Sequence, residues 1–189
     1  VRTTASAHAL FFNELDVGDG SHDPDKAYLT YCKVNPPFRS EEDRLALIGK
    51  LRDGSLNAVV SAHDPQPPEN KRLPFEDASF GAAGLETLLA CLTTLVADPF
   101  YQLSMLDALK AVTTGPADCL GLKTGRLQEG FSADLALIDP DKPWKCKREN
   151  LRSLSKNSPF DGRLLTGRVE KTFVNGQMVF NRAQEVNHA

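Results

Sequence analysis

The sequence predicts an α/β chain in which alternating strand and helix give way to a small β unit. Three observations predict it. The run Ala58-Val59-Val60 follows an apolar-striped helix and is closed at once by Ser61-Ala62-His63-Asp64-Pro65, the form of a short buried strand. Leucines at helical spacing dominate residues 84–97. Beyond about residue 122 the pattern turns to strands, two of them joined by Asn-Gly. The predicted units are therefore 1–121 and 122–189.

Taken in order, Ser6-Ala7-His8-Ala9-Leu10-Phe11-Phe12 fits the end of a strand. Residues 13–27 read as loop, with Gly18, Gly20, Pro24 and five acids. In Val34-Asn35-Pro36-Pro37-Phe38-Arg39 two prolines offer no N–H to a sheet, so this is a rigid extended loop. Ser40 has the character of an N-cap, and Glu41, Glu42 and Asp43 complement the dipole of the first turn. Leu45, Ile48 and Leu51 give an apolar stripe, and Gly54 is a suitable stop. After the strand through Val60, Leu85, Leu88, Leu89, Leu92, Leu95 and Val96 define the next helix, ended by Asp98-Pro99. Another helix starts near Ser104, with Asp107 as a capping-box partner. Gly115-Pro116 breaks it, and a short turn runs to Gly121. In the tail, 133–139 reads as a strand ended by Pro140, and 171–174 with 177–180 as a hairpin about Asn175-Gly176, the preferred type I′ dipeptide.

The bulk numbers exclude several functions. Net charge is -3 with no dense basic block, which gives no support for nucleic-acid binding. No run of 18 apolar residues exists to span a membrane as a helix. The first ten residues lack the charged-then-apolar form of a signal peptide. Cys32, Cys91, Cys119 and Cys146 are widely spaced without C-x-x-C, so a structural zinc site is not expected. They read as reduced thiols of a cytoplasmic protein, with Cys91 and Cys119 as small core residues of helices.

Residues 61–87 carry the motif. Lys71, Pro74-Phe75-Glu76, Ala78, Phe80-Gly81 and Gly84-Leu85-Glu86-Thr87 fit K-x-x-P-F-E-x-A-x-F-G-x-x-G-L-E-T, and Ser61-Ala62-His63-Asp64-Pro65-Gln66 stands where S-D-H-A-P-H would precede it. On these residues the chain resembles the dihydroorotases, cyclic amidohydrolases that interconvert carbamoyl aspartate and dihydroorotate in pyrimidine biosynthesis. Asn35-Pro36-Pro37-Phe38-Arg39 is similar to the family's N-P-P-L-R. Gly125, Leu127, Gly130, Ala133-Asp134-Leu135, Leu137 and Asp139 resemble the small β domain that accompanies amidohydrolase barrels, and Ser155-Lys156-Asn157-Ser158-Pro159-Phe160 a segment particular to dihydroorotases. The resemblance implies the C-terminal part of an amidohydrolase (β/α)8 TIM barrel over 1–121, then a small β domain over 122–189 that completes the composite domain. A whole barrel needs about 250 residues. The chain is therefore expected to be the C-terminal part of a longer polypeptide.

What the resemblance implies for chemistry turns on Ala62. In the family two metal ions, usually zinc, activate a bridging water, and an Asp at the end of the last barrel strand moves its proton. That position is Ala62, whose methyl neither binds metal nor accepts a proton. Asp64 faces the same side of an extended strand, but two residues displace the Cα by about 6.6 Å; otherwise it is a turn residue before Pro65. The family's second histidine falls on Gln66, which can hydrogen-bond a ligand without carrying charge. Asn35 matches a substrate-contacting position, where an amide suits an imide-like ring, or else it holds the Pro36-Pro37 loop. Phe80 and Gly81 match substrate-facing backbone positions, where glycine lets a ligand approach. No intact catalytic residue and no metal ligand is assigned, and no tight zinc is expected in this chain alone. His63 and His8 read as packing histidines, His22 and the acidic stretch 16–25 as solvated, and Arg39 as the partner of a nearby acid.

The implied function is a dihydroorotase-type hydrolase, its activity lowered or lost for want of the acid. Two alternatives stand beside it: a non-catalytic homologue that serves as a structural partner of aspartate carbamoyltransferase, and a hydrolase of another cyclic imide. An incomplete barrel leaves an edge and helix faces open. The chain is thus expected to sit against the rest of its own polypeptide or a second copy.

Overall fold

The computed structural model describes residues 1–18 and 28–185; His22 and most of the acidic stretch lie outside them. Strands β1 (Thr4–Ser6) and β2 (Ala58–Val60) pair in parallel, with Thr4 opposite Ala58 and Ser6 opposite Val60. Parallel neighbours need a crossover. Here it contains α1 (Ala7–Phe11) and α2 (Glu41–Arg52). Ser6 ends β1 and caps α1, its Oγ accepting from the Ala9 N–H at 3.1 Å, so the strand end expected over 6–12 stops at Ser6 and residues 7–11 are helical. Ser40 does the same for α2 with Asp43. The inner face of α2 buries Ile48 and Leu51 as the stripe predicts, but also Arg44. That guanidinium donates to the Leu10 carbonyl at 3.0 Å, to Glu41 at 2.6 Å and to the Tyr101 hydroxyl at 3.0 Å. Its hydrogen bonds hold the Glu41 carboxyl down to about 2.

Helix α3 (Pro68–Lys71) follows β2. The helix predicted over 84–97 is α-helical from Leu88 to Ala97 (α4); Leu85–Thr87 winds as a tighter 3-10 turn, with the Thr87 hydroxyl on the Gly84 carbonyl at 3.1 Å. Helix α5 (Met105–Lys110) starts at its Ser104 cap. The predicted break at Gly115-Pro116 falls earlier. Both residues lie in the first turn of α6 (Thr114–Leu120), where the missing proline N–H has no intrahelical acceptor to lose. Gly115 is needed there because a Cβ would run into the Asn57 carbonyl.

The tail is an antiparallel sheet in the order β3 (Leu135–Lys145), β4 (Leu164–Val174), β5 (Gln177–Asn181). Pro140 does not end β3: the register slips between Asp139 and Pro143, residues 140–142 bulge out, and pairing resumes with Pro143 opposite Thr166. The β4–β5 hairpin turns at Asn175 (φ 50°) and Gly176 (φ 76°), both positive as a type I′ turn requires. A short helix, α7 (Arg182–Glu185), follows.

The sheet packs on α4. The Thr93 hydroxyl donates to the Thr166 carbonyl at 2.5 Å, and the Thr166 N–H to Thr94 at 2.8 Å. Phe12 and Leu92 share one core with Phe160 and Leu165 from the tail, and the Phe12 ring lies 4.8 Å from that of Phe160. All four cysteines are free; Cys32, Cys91 and Cys146 are buried and Cys119 is half-buried, less enclosed than its helical position suggests. Burial pushes the Cys32 and Cys146 thiols up to about 11, and that of Cys91 higher.

Candidate functional site at the end of strand β2

The segment 61–66 leaves the C-terminal end of β2. Ala62 has φ 45°, in the left-handed region that side chains other than Asn and Asp seldom adopt. The chain turns there, at the position where the resemblance expects an acid. His63 bridges to Ala82, and the Asp64 N–H donates to the Ala82 carbonyl at 2.8 Å, which lays segment 80–84 beside 61–66. His63 Nδ1 accepts from the N–H groups of Gly84 (3.3 Å) and Leu85 (3.2 Å). It is a hydrogen-bonded packing residue.

Gln66 Nε2 donates to Asp64 Oδ1 at 2.8 Å. The Asp64 carboxylate lies against Gly81, where a Cβ would come within 2.5 Å of Oδ2, and Gly81 has φ 114°. Only glycine fits that backbone and that contact. The Gly81 N–H donates to the Lys33 carbonyl at 3.0 Å. This ties in the loop that carries Asn35, which is exposed and precedes a cis bond to Pro36. Phe80 is exposed, with the Lys33 ammonium 4.8 Å from its ring centroid. The fold thus brings Asp64, Gln66, Phe80 and Gly81 together and sets Asn35 on the adjoining loop. A cavity of about 810 Å³ lies elsewhere, between Tyr28, Lys71, Phe75, Arg148 and Asp161, and touches none of these five.

Three supporting residues enter the sequence reading only as members of motifs, with no role given. The buried Lys71 ammonium donates to the carbonyls of Ser79 (2.7 Å), Thr30 (3.0 Å) and Lys33 (3.4 Å), and burial together with Lys33 lowers it to about 8. Glu86 accepts from the N–H groups of Arg152 (2.7 Å) and Ser153 (3.0 Å). Asn157 hydrogen-bonds both segments of the site. All three lie within recognised motifs, but the neighbours of Lys71 and Asn157 in sequence are largely polar and nothing local marks those two as buried.

Behind the site His8 is fully buried, and neither ring nitrogen has a hydrogen-bond partner among the described residues. Burial, and secondarily His63, lower it to about 4. The unfolded chain takes up this proton near 6.5, the folded chain only near 4. Its contribution to stability is therefore complete above pH 6.5 and lost as pH falls toward 4. The loss should reach about 3 kcal/mol. Urea unfolding between pH 7 and 4 checks this: His8→Phe should lose distinctly less stability over that window than the wild type.

Comparison with protein families matches residues 35–179 to the amidohydrolase family. The chain belongs to that metal-dependent family. Among curated proteins it is 40% identical over 157 residues to a dihydroorotase of Wolbachia sp. subsp. Drosophila simulans, covering 83% of this chain and 35% of that protein. It is 38% identical over 180 residues to the dihydroorotase of Syntrophus aciditrophicus, covering 95% and 40%. Among solved structures, the L-hydantoinase (dihydropyrimidinase) of Arthrobacter aurescens superposes with a TM-score of 0.85 at 32% identity, over 96% of this chain and 40% of that one. The fold is accordingly the C-terminal part of an amidohydrolase (β/α)8 barrel with its β tail, and the chain spans less than half the length of these relatives.

The residues present do not fit a binuclear zinc centre by themselves. Ala62 offers a methyl, His63 Nδ1 is taken by two N–H donors, and no three His, Cys, Asp or Glu side chains converge among the described residues. No helix among the described residues is long and apolar enough to cross a membrane.

Proposed function

We propose that these residues form the ligand-recognition end of a cytoplasmic dihydroorotase-type cyclic amidohydrolase of pyrimidine biosynthesis whose turnover is lowered or lost. The observation that carries the reading is the convergence of Gln66, Phe80 and Gly81 around a turn centred on Ala62. The polar side chains and the close-approach glycine suit a small ring bearing amide and carbonyl groups. The group that would move the proton is missing. Substrate recognition is assigned to Asn35, Gln66, Phe80 and Gly81, catalysis to none of them.

Ala62 also favours a second reading, a non-catalytic homologue that acts as a structural partner of aspartate carbamoyltransferase. Exposed Leu135, Leu137, Val174, Met178 and Val179 on the sheet suit a surface that packs against further chain, either the remainder of the polypeptide or another copy. One experiment separates the two. The complete polypeptide is assayed for dihydroorotate hydrolysis and for the reverse cyclisation, and is co-sedimented with aspartate carbamoyltransferase. Slow turnover with no co-sedimentation supports the first reading; co-sedimentation with no turnover supports the second.

A further inference from the structure

Asn157 comes from the β tail yet reaches both segments of the site. It is buried, at 3% exposure. Its Oδ1 accepts from the Gln66 N–H at 3.1 Å, and its Nδ2 donates to the Gly81 carbonyl at 3.1 Å. Only one orientation of the amide satisfies both, because a carbonyl needs a donor and an N–H needs an acceptor. The Asn157 carbonyl accepts in turn from the Ala83 N–H at 2.9 Å. Five residues earlier the same tail segment is held again, where Glu86 accepts from the Arg152 and Ser153 N–H groups. Segment 152–157 is thus bound at both ends to the strip 81–86, and Asn157 also spans to the 64–66 turn. A hydrophobic side chain of similar size would fill the space but leave Gln66 N–H and Gly81 C=O unpaired, each at a desolvation cost of about 1–3 kcal/mol.

We propose that Asn157 is a positioning residue that sets the separation between the Gln66 turn and the Gly81 strip, so that the β tail is a working part of the ligand site. This rests on the recognition role assigned to those segments above. Asn157 touches no ligand; it acts through the backbone of Gln66 and Gly81. The ligand it serves is the small cyclic amide that those residues face.

The test uses the polypeptide as the cell makes it, with dihydroorotate as the probe. Asn157→Ala removes both bonds, and Asn157→Asp keeps the acceptor for Gln66 but places an oxygen against the Gly81 carbonyl. Leu165→Ala is the control, since Leu165 is buried in the sheet and touches neither segment of the site through a hydrogen bond. Calorimetry at a temperature where all variants are folded should show Asn157→Ala binding about ten-fold more weakly, with the control within about two-fold of wild type. Equal weakening in both, or none in Asn157→Ala, overturns the proposal. If wild type does not bind dihydroorotate, the functional reading fails, and amide exchange then decides the positioning role. The Gln66 amide should exchange about ten-fold faster in Asn157→Ala and stay protected in Asn157→Asp and in Leu165→Ala. An unchanged Gln66 amide in Asn157→Ala would sink the idea on its own.

Discussion

Where the upstream metal ligands are present, replacing Ala62 with aspartate is expected to raise dihydroorotate turnover by the complete polypeptide about 10²–10⁴-fold, the usual worth of a positioned acid–base group. The backbone is ready for the change. Ala62 already holds φ 45°, a conformation that Asp tolerates better than Ala because its short polar side chain bonds locally. The substitution therefore adds a carboxylate without adding backbone strain. Gln66→His should act mainly on substrate binding, and only once that carboxylate is in place. Steady-state assays in both directions on wild type, each single variant and the double decide the matter. Ordinary turnover by the wild type, abolished by Asp64→Ala, would make Asp64 the working acid. The structure gives Asp64 a different occupation, since its carboxylate accepts from Gln66 and lies against Gly81.

The second large effect is expected at Gly84. A Cβ there would run into the Ser61 carbonyl and come within 2.5 Å of His8 Nε2. Neither can retreat cheaply: Ser61 is backbone at the end of β2, and His8 is fully enclosed. Gly84 has φ -136°, so the cost is steric, not conformational. Overpacking of this kind costs about 1–3 kcal/mol. Gly84→Ala should lower the midpoint of thermal unfolding by about 2–12 °C in a chain of this size. Gly54→Ala is the useful contrast, because Gly54 has φ 77° but open space around it. Its penalty is backbone strain alone, about 1–2 kcal/mol. Equal midpoints for wild type and Gly84→Ala would contradict the packing described.

Much of this was legible in the residues because local rules and tertiary packing agree there. Ser40, Gly54, Ser104 and Asn175-Gly176 each prescribe a cap or turn, and each forms it. The amidohydrolase motifs likewise marked the segments that converge. Two misreadings share one cause, proline and glycine taken as terminators. Pro116 sits where a helix needs no N–H, and Pro140 is carried past the sheet by a bulge. The buried polar residues were hidden for another reason. Arg44, Lys71 and Asn157 take backbone carbonyls or amides up to 91 residues away as partners. No periodicity records such pairings, because one side of each bond is a main-chain group that every residue carries.

The unequal burial of the four thiols offers a practical handle. A thiol reagent works through the thiolate, and burial withholds that form at Cys32, Cys91 and Cys146. Cys119, half-buried on α6 just before Gly121, is left to react first at neutral pH. A fluorophore or spin label would therefore land near the junction between the barrel step and the β tail without any engineered substitution. Its mobility would report when α6 lifts from β2, an opening that enzyme assays cannot see.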